Sequence, residues 1–353
     1  MTRSFFRMVI LACLALTLTG CSGAGYVAQS LKGHAGIMAA RQSVSKLIAD
    51  PSTPEALRAR MESASAIRQF ASDELDLPDN ASYRSYVDIG RDYVTIAVYA
   101  APEFSLTPLV WCFPVFGCVP YRGYFSRDAV AKTVRELQQQ GLDVHVTGIT
   151  AYSTLGWSSD PLLSTMFTQD RTYLASLVFH ELAHQRVYVN DDTAFNEAFA
   201  VAVEMTGVRK WLNALGDAAG LARYEAGLER NAEFLALVAK TKSELAGIYA
   251  GSGTVQNKRA EKAAAIERLR TRYRRMRDES WAGYGGYDNW VEGPVNNAKL
   301  AATSVYNDLV PAFLRLFDLC LQDYPRFYAA VARLDRLAKD ERTEALVSAK
   351  SCG

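Results

Sequence analysis

Apolar residues along the chain recur first at helical spacing. Val27, Leu31, Met38, Val44, Leu47 and Ile48 place one apolar face on a helix over Tyr26–Ile48, although Gly33 and Gly36 lie inside it. Asp50-Pro51-Ser52-Thr53-Pro54 breaks that run and caps a second helix over Glu55–Leu75, so the two form an antiparallel pair. The texture then changes. Tyr83–Ile89, Tyr93–Tyr99 and Asp143–Thr150 are rich in β-branched and aromatic residues and alternate as strands do. Between them lie an aromatic loop or hairpin, Trp111–Phe125, and a helix over Asp128–Gln140 stopped by Gly141. From Asp170 onward nearly everything reads as helix. Asn190-Asp191-Asp192-Thr193 separates two helices, and further helices are expected over Gly220–Leu245, Lys258–Asp278, Asn296–Leu321 and Pro325–Lys350. Gly283–Gly293 forms a Gly/aromatic loop. The fold class is therefore α+β and mainly helical, with a helical pair (26–75), a small mixed sheet (83–157) and a helical remainder (170–350) in one domain.

Composition adds little. Of 353 residues, 49% are apolar, enough for one large domain or two intimate ones, and the net charge of +1 gives no field that would attract nucleic acid. The helix over Lys258–Asp278 is locally very basic and reads as one arm of a solvated hairpin; contact with an anionic surface is the alternative.

The N-terminus changes the picture more. Arg3 and Arg7 precede an apolar run, Met8–Leu18, that ends in Leu18-Thr19-Gly20-Cys21. It is too short for a membrane span and has the shape of a secretory signal, so residues 1–20 are expected to be a signal peptide and 21–353 the mature chain. The ending resembles a bacterial lipobox, which implies a lipid on Cys21 as membrane anchor. Ser22 is not the aspartate associated with inner-membrane retention, so the expected location is the outer membrane, facing the periplasm. The alternative is an ordinary cleaved signal. Beyond Cys13 and Cys21, four cysteines remain. In an oxidising compartment they are expected to pair as Cys112–Cys118 and Cys320–Cys352, with four buried thiols as the alternative.

The candidate chemistry is concentrated at His180-Glu181-Leu182-Ala183-His184, which holds two of the chain's four histidines. Residues four apart share a helix face, so both imidazoles can reach one ion; Glu181, one position along, is placed to take a proton from water. Leu174, Leu177, Val178 and Leu182 make this helix apolar, so the polar trio would be partly buried and in need of a reason. Zinc is the reading, with Glu197 on the next helix as third ligand. His34 and His145 read as structural. Glu204 lies two turns beyond Glu197 and either orients a ligating histidine or is a plain surface acid.

His-Glu-Leu-Ala-His-Gln at 180–185 followed by Asn-Glu-Ala-Phe-Ala at 196–200 resembles the gluzincin metallopeptidases, particularly their aminopeptidase branch. Twelve residues, Gln185–Asn196, separate the second histidine from the glutamate, a shorter connection than in those enzymes. Together with the lipobox, Tyr121-Arg122-Gly123-Tyr124-Phe125 and Tyr152-Ser153-Thr154-Leu155-Gly156-Trp157, the whole mature chain resembles bacterial lipoproteins labelled aminopeptidases on the strength of their zinc motif. The resemblance implies a zincin-like fold and zinc held by His180, His184 and Glu197. It makes Glu181 the general base, and a later tyrosine the donor to the oxyanion. Tyr306 is the choice for that donor, with Tyr287 in reserve and a core role as the alternative. Residues 151–157 are either the edge strand that would hold an extended peptide or a plain turn. The Gly-x-Met-Glu-Asn segment that binds a free amine in the related branch has no match, so trimming of N-termini and internal cleavage both stay open. The expected partner is a peptide. The rival expectations are a non-catalytic, zinc-stabilised envelope lipoprotein that binds a partner through its helices, and a zinc hydrolase acting on cell-wall cross-links.

Overall fold

The computed structural model describes residues 26, 29–113, 117–151, 154, 158–303 and 308–353. It is mainly helical with small sheets, an α+β architecture. The expected first helix is interrupted. Residues 29–39 form α1, Gln42–Ser43 form the short strand β1, and α2 (Val44–Ala49) follows. The cause is non-local: Gln42 and Ser43 pair with Tyr86 and Ser85 of β2 (Ser85–Val87), and the Ser43 hydroxyl caps α2 by accepting the Lys46 N–H. Helix α3 (Glu55–Leu75) buries Met61, Ala64, Ile67, Ala71 and Leu75 along one stripe. Arg68 interrupts that stripe and is only 1% exposed. Its guanidinium donates to the carbonyls of Pro78, Asn80 and Ser82 and to the Ser72 hydroxyl, which offsets the cost of burying the charge and ties down the loop after the helix. Burial, with Arg84 nearby, draws its pKa down to about 10.

In place of one mixed sheet there are three small ones. β2 is flanked by β1 and by β8 (Leu162–Leu163), which runs parallel to it, so that sheet is mixed. β3 (Thr95–Pro102) lies antiparallel between β6 (Arg122–Tyr124) and β7 (Leu142–Ile149). β4 (Trp111–Phe113) and β5 (Gly117–Val119) form a hairpin closed by the Cys112–Cys118 disulfide. Strand β3 is covered on both faces, so its residues do not alternate cleanly. Val98 and Ala100 pack with Val130 and Leu137 of α4 (Arg127–Gln139), while α10 (Asn297–Thr303) packs against both β3 and β7. Gly141, at φ +74°, turns the chain from α4 into β7 in a conformation most side chains resist.

Helices α5 (Arg171–Arg186) and α6 (Thr193–Ala214) pack side by side in the main core. Gly207 permits this approach. A Cβ there would stand 2.8 Å from a Leu75 methyl and 3.0 Å from the Phe179 ring. On the far side of α6, α11 (Val310–Leu319) sets Phe313 against Phe195 and Phe199. α12 (Tyr324–Leu334) and α13 (Lys339–Val347) follow, with the C-terminus held by Cys320–Cys352. The expected helix over 325–350 therefore breaks between Leu334 and Lys339. Arg342 takes the carbonyls of Leu334 and Leu337 there, giving the open end of α12 its partners. The expected helix over 296–321 is likewise divided, with Asp308 and Leu309 in a turn.

A second core joins α7 (Ala218–Ala250), α8 (Val255–Arg275) and α9 (Asp288–Glu292) around Phe234, Leu269, Tyr273 and Trp281. The bases of α8 are matched by acids from other elements: Arg259 by Glu103, Lys262 by Asp143, Arg268 by Glu244 and Arg274 by Glu292. The helix is held by Ile266, Leu269 and Tyr273 in this core, and the pairs offset much of its positive charge. Among the described residues no helix is long and apolar enough to cross a membrane.

Candidate metal centre

Asp170 caps α5 by accepting the Tyr173 N–H, and the helix turns His180 and His184 toward α6. The return is pinned by Asn196, whose side chain donates to the Val189 carbonyl (2.7 Å) and accepts its N–H (2.8 Å). Asp192 caps α6 through the Phe195 N–H, which brings Glu197 into the first turns opposite the histidines.

The resulting geometry is tight. The Nε2 atoms of His180 and His184 lie 3.2 Å apart. Glu197 reaches the first with Oε2 at 3.3 Å and the second with Oε1 at 3.6 Å. One ligand atom from each of the three residues falls within 4.8 Å of the others, a cluster that could hold a metal ion. Glu204 stands on the opposite side of His180, its Oε2 3.2 Å from Nδ1. The Nδ1 of His184 is buried without a hydrogen-bond partner.

The electrostatics are those of a negative pocket around two imidazoles. Burial alone would lower the pKa of His180, but hydrogen bonds to Glu197 and Glu204 and the charge of Glu181 outweigh it and hold the ring well above 6.5. His184 goes the other way, to about 4, through burial and the neighbouring His180 charge. For Glu197 burial works upward, yet the His180 hydrogen bond and both imidazoles pull the carboxyl below its ordinary value. Three carboxylates, one of them bonded to the outer nitrogen of His180, thus surround two ring nitrogens that face each other. Without a cation one of those nitrogens must carry a proton; a divalent ion would relieve all of them together.

Three tyrosines to which the sequence reading gave no role at the site, Tyr121 among the residues of the family resemblance, belong to the same place. Tyr99 on β3, Tyr121 before β6 and Tyr188 after α5 all feel the Glu197 carboxylate, and Tyr121 feels Glu181 as well. The Tyr188 ring lies 6.3 Å from that of His184. Burial first, then Tyr99 and Glu197, push the Tyr121 phenol up to about 12, although 38% of the residue's surface is open. These residues come from three separate elements, so no spacing in the sequence marks them; only the run of tyrosines in 121–124 hints at it.

Of the other expected residues, Tyr306 and Cys21 lie outside the described residues, as do 1–20 and, within 151–157, all but Ala151 and Thr154. Tyr287 stacks on Phe234 at 4.1 Å and donates to the Asn231 side chain, lining a cleft described below. His145 is a sheet residue paired with Tyr99, and burial keeps it neutral, its pKa near 4.

What these elements define is a mainly helical protein whose candidate metal centre is carried by two adjacent helices. The chain matches the family described as "Putative aminopeptidase" over residues 25–346, and it belongs to that family. No curated protein and no solved structure matches it.

Proposed function

We propose that this protein is a zinc-dependent peptidase of gluzincin type on a zincin-like fold, exported and held by a lipid on Cys21 at the outer membrane, facing the periplasm. One observation carries the reading. His180 Nε2, His184 Nε2 and the Glu197 carboxylate converge within 4.8 Å, on the helix pair that the motif calls for. The family's description supports peptide hydrolysis in general. The donor set, two imidazoles and a carboxylate, suits zinc in a site that leaves room for chemistry. His180, His184 and Glu197 would hold the ion, which when bound supplies Lewis-acid polarisation of a carbonyl and makes water more acidic.

The chain's own groups do the rest. Glu181 accepts the proton of the attacking water and delivers it to the leaving nitrogen, so a C–O bond forms as the C–N bond breaks. Glu204 accepts from His180 Nδ1–H and so fixes Nε2 as the nitrogen facing Glu197. Two phenols are candidates to donate to the developing oxyanion: Tyr306, expected from the sequence, and Tyr121, whose hydroxyl is under the influence of the Glu197 and Glu181 charges. The Cys112–Cys118 and Cys320–Cys352 bonds support export to an oxidising compartment.

Native protein should contain one zinc per chain by elemental mass spectrometry. Its hydrolysis of a peptide pool should be lost to a strong chelator and return with zinc. Metal-free native protein, or hydrolysis that survives full chelation, would refute the proposal. A second expectation concerns Glu204. Glu204→Gln should weaken zinc binding about 10–100-fold, read by competition against a chelating dye, while the helix content by circular dichroism is unchanged.

A further inference from the structure

A cleft of about 400 Å³ opens where β3, β7, α7, α9 and α10 meet, walled by Tyr99, His145, Asn231, Phe234, Tyr287 and Trp290. That volume is in the range of sites that enclose small organic groups, roughly 300–1,000 Å³. Tyr99 joins it to the candidate metal centre. Its ring is 6.2 Å from His145 on one side and 5.5 Å from Tyr121 on the other, and Tyr121 neighbours Glu181 and Glu197. The cleft thus lies on the Tyr99 side of the candidate centre, with the Tyr99 ring shared between the two.

We propose that this cleft receives the side chain next to the scissile bond of a peptide substrate, and that it selects an aromatic or large apolar side chain over a charged one. The proposal rests on the peptidase reading above and deepens it by naming the substrate class. Its walls supply the reason. Phe234 stacks on Tyr287 at 4.1 Å and meets Trp290 edge-on at 5.1 Å, so these three rings form one continuous wall, faced by the neutral polar side chains of Thr147, Asn231 and Thr303. The polar edges of these rings already have partners: Tyr287 hydroxyl on Asn231, and Trp290 Nε1 on Thr303 at 3.2 Å. His145 is neutral, and the Lys299 ammonium, 4.8 Å from the centre of the Trp290 ring, donates to the backbone carbonyls of Trp290 and Pro294. A carboxylate or ammonium entering here would leave its water for walls that carry no formal charge, which costs free energy; a ring or a long aliphatic chain would gain by the same transfer.

Two variants and one binding measurement test this. On a peptide library, zinc-loaded wild type should favour Phe, Tyr, Trp or Leu over Asp, Glu or Lys tenfold or more at one position flanking the cut. Asn231→Asp places an anion in the wall and should shift that position toward Lys and Arg by several-fold. Thr147→Phe narrows the cleft from the β7 side and should shift it toward Ala. Wild-type preferences in both variants, with hydrolysis intact, overturn the proposal and leave the peptidase reading standing. Calorimetry with zinc-loaded Glu181→Gln protein addresses the cleft without turnover. N-acetyl-phenylalaninamide should bind saturably, at least tenfold more tightly than N-acetyl-lysinamide, and Thr147→Phe should weaken it. Such binding, alongside a zinc-loaded wild type that cuts no peptide, would sustain the cleft's preference while removing the peptidase. Equal binding of the two probes would overturn the cleft even if peptides are cut.

Discussion

Replacing Glu181 with glutamine is expected to lower kcat for peptide hydrolysis by about 10²–10⁴-fold while leaving the zinc content at one per chain. Glutamine keeps the size of the side chain and loses the ability to take up and hand on a proton. The metal should stay, because the three ligand atoms that converge come from His180, His184 and Glu197. On α5 Glu181 follows His180 by one position, turned about 100° away, yet its charge reaches both His180 and Tyr121. It therefore stands beside the ligands without being one of them. A steady-state rate together with elemental analysis of the same sample checks both halves of the expectation. Wild-type turnover in the variant would remove Glu181 from the chemistry. Loss of metal along with turnover would assign it a structural share in the site. In the rival reading, where the cluster is a structural clasp, the wild type shows no hydrolysis for the substitution to affect.

The helices and the candidate centre were legible because their signals are local. Asp50–Pro54 announces the start of α3, Gly141 the end of α4, and His180, His184 and Glu197 are separated by helical turns and one short connection. What could not be read depends on partners far along the chain. Gln42 and Ser43 leave the helical pattern because β2, more than 40 residues later, offers them a pairing edge. The basic run of α8 looks like a solvated positive face until Glu103, Asp143, Glu244 and Glu292 arrive from four other places. Arg68 interrupts an apolar stripe, and three loop carbonyls and a hydroxyl, none marked by periodicity, make it a buried anchor. Tyr99, Tyr121 and Tyr188 show the same limit at the centre itself. Tyr99 lies in an aliphatic strand, Tyr188 in the connection after α5 and Tyr121 in the aromatic segment before β6, and only the packing of these parts puts all three under the influence of one carboxylate. Periodicity reports faces of elements, whereas function here depends on which faces meet.

The largest effect on stability is expected from Arg342→Met. Arg342 and Asp192 are 6% and 3% exposed, and their side chains form an ion pair between α13 and the start of α6. The same guanidinium donates to the Leu334 and Leu337 carbonyls and lies 5.4 Å from the centre of the Phe195 ring. Methionine fills much of the volume but leaves the buried Asp192 carboxylate with only the exposed Lys339 ammonium, 3.6 Å away, as counter-charge; breaking a buried pair from one side costs about 3–5 kcal/mol, and Lys339 should hold this loss near the lower end. The midpoint of thermal unfolding should fall by roughly 5 °C. Adding Asp192→Asn should recover part of that loss, since the amide removes the stranded charge and can still accept the Phe195 N–H at the helix start. The cost should also reach the metal centre, because Glu197 sits only five residues beyond Asp192 and takes its position from that first turn. Zinc affinity should therefore weaken in Arg342→Met and be partly restored in the double variant. A loss below about 1 kcal/mol, the range of exposed pairs, would mean that water or Lys339 satisfies Asp192 and that Arg342 does not fix the helix carrying Glu197.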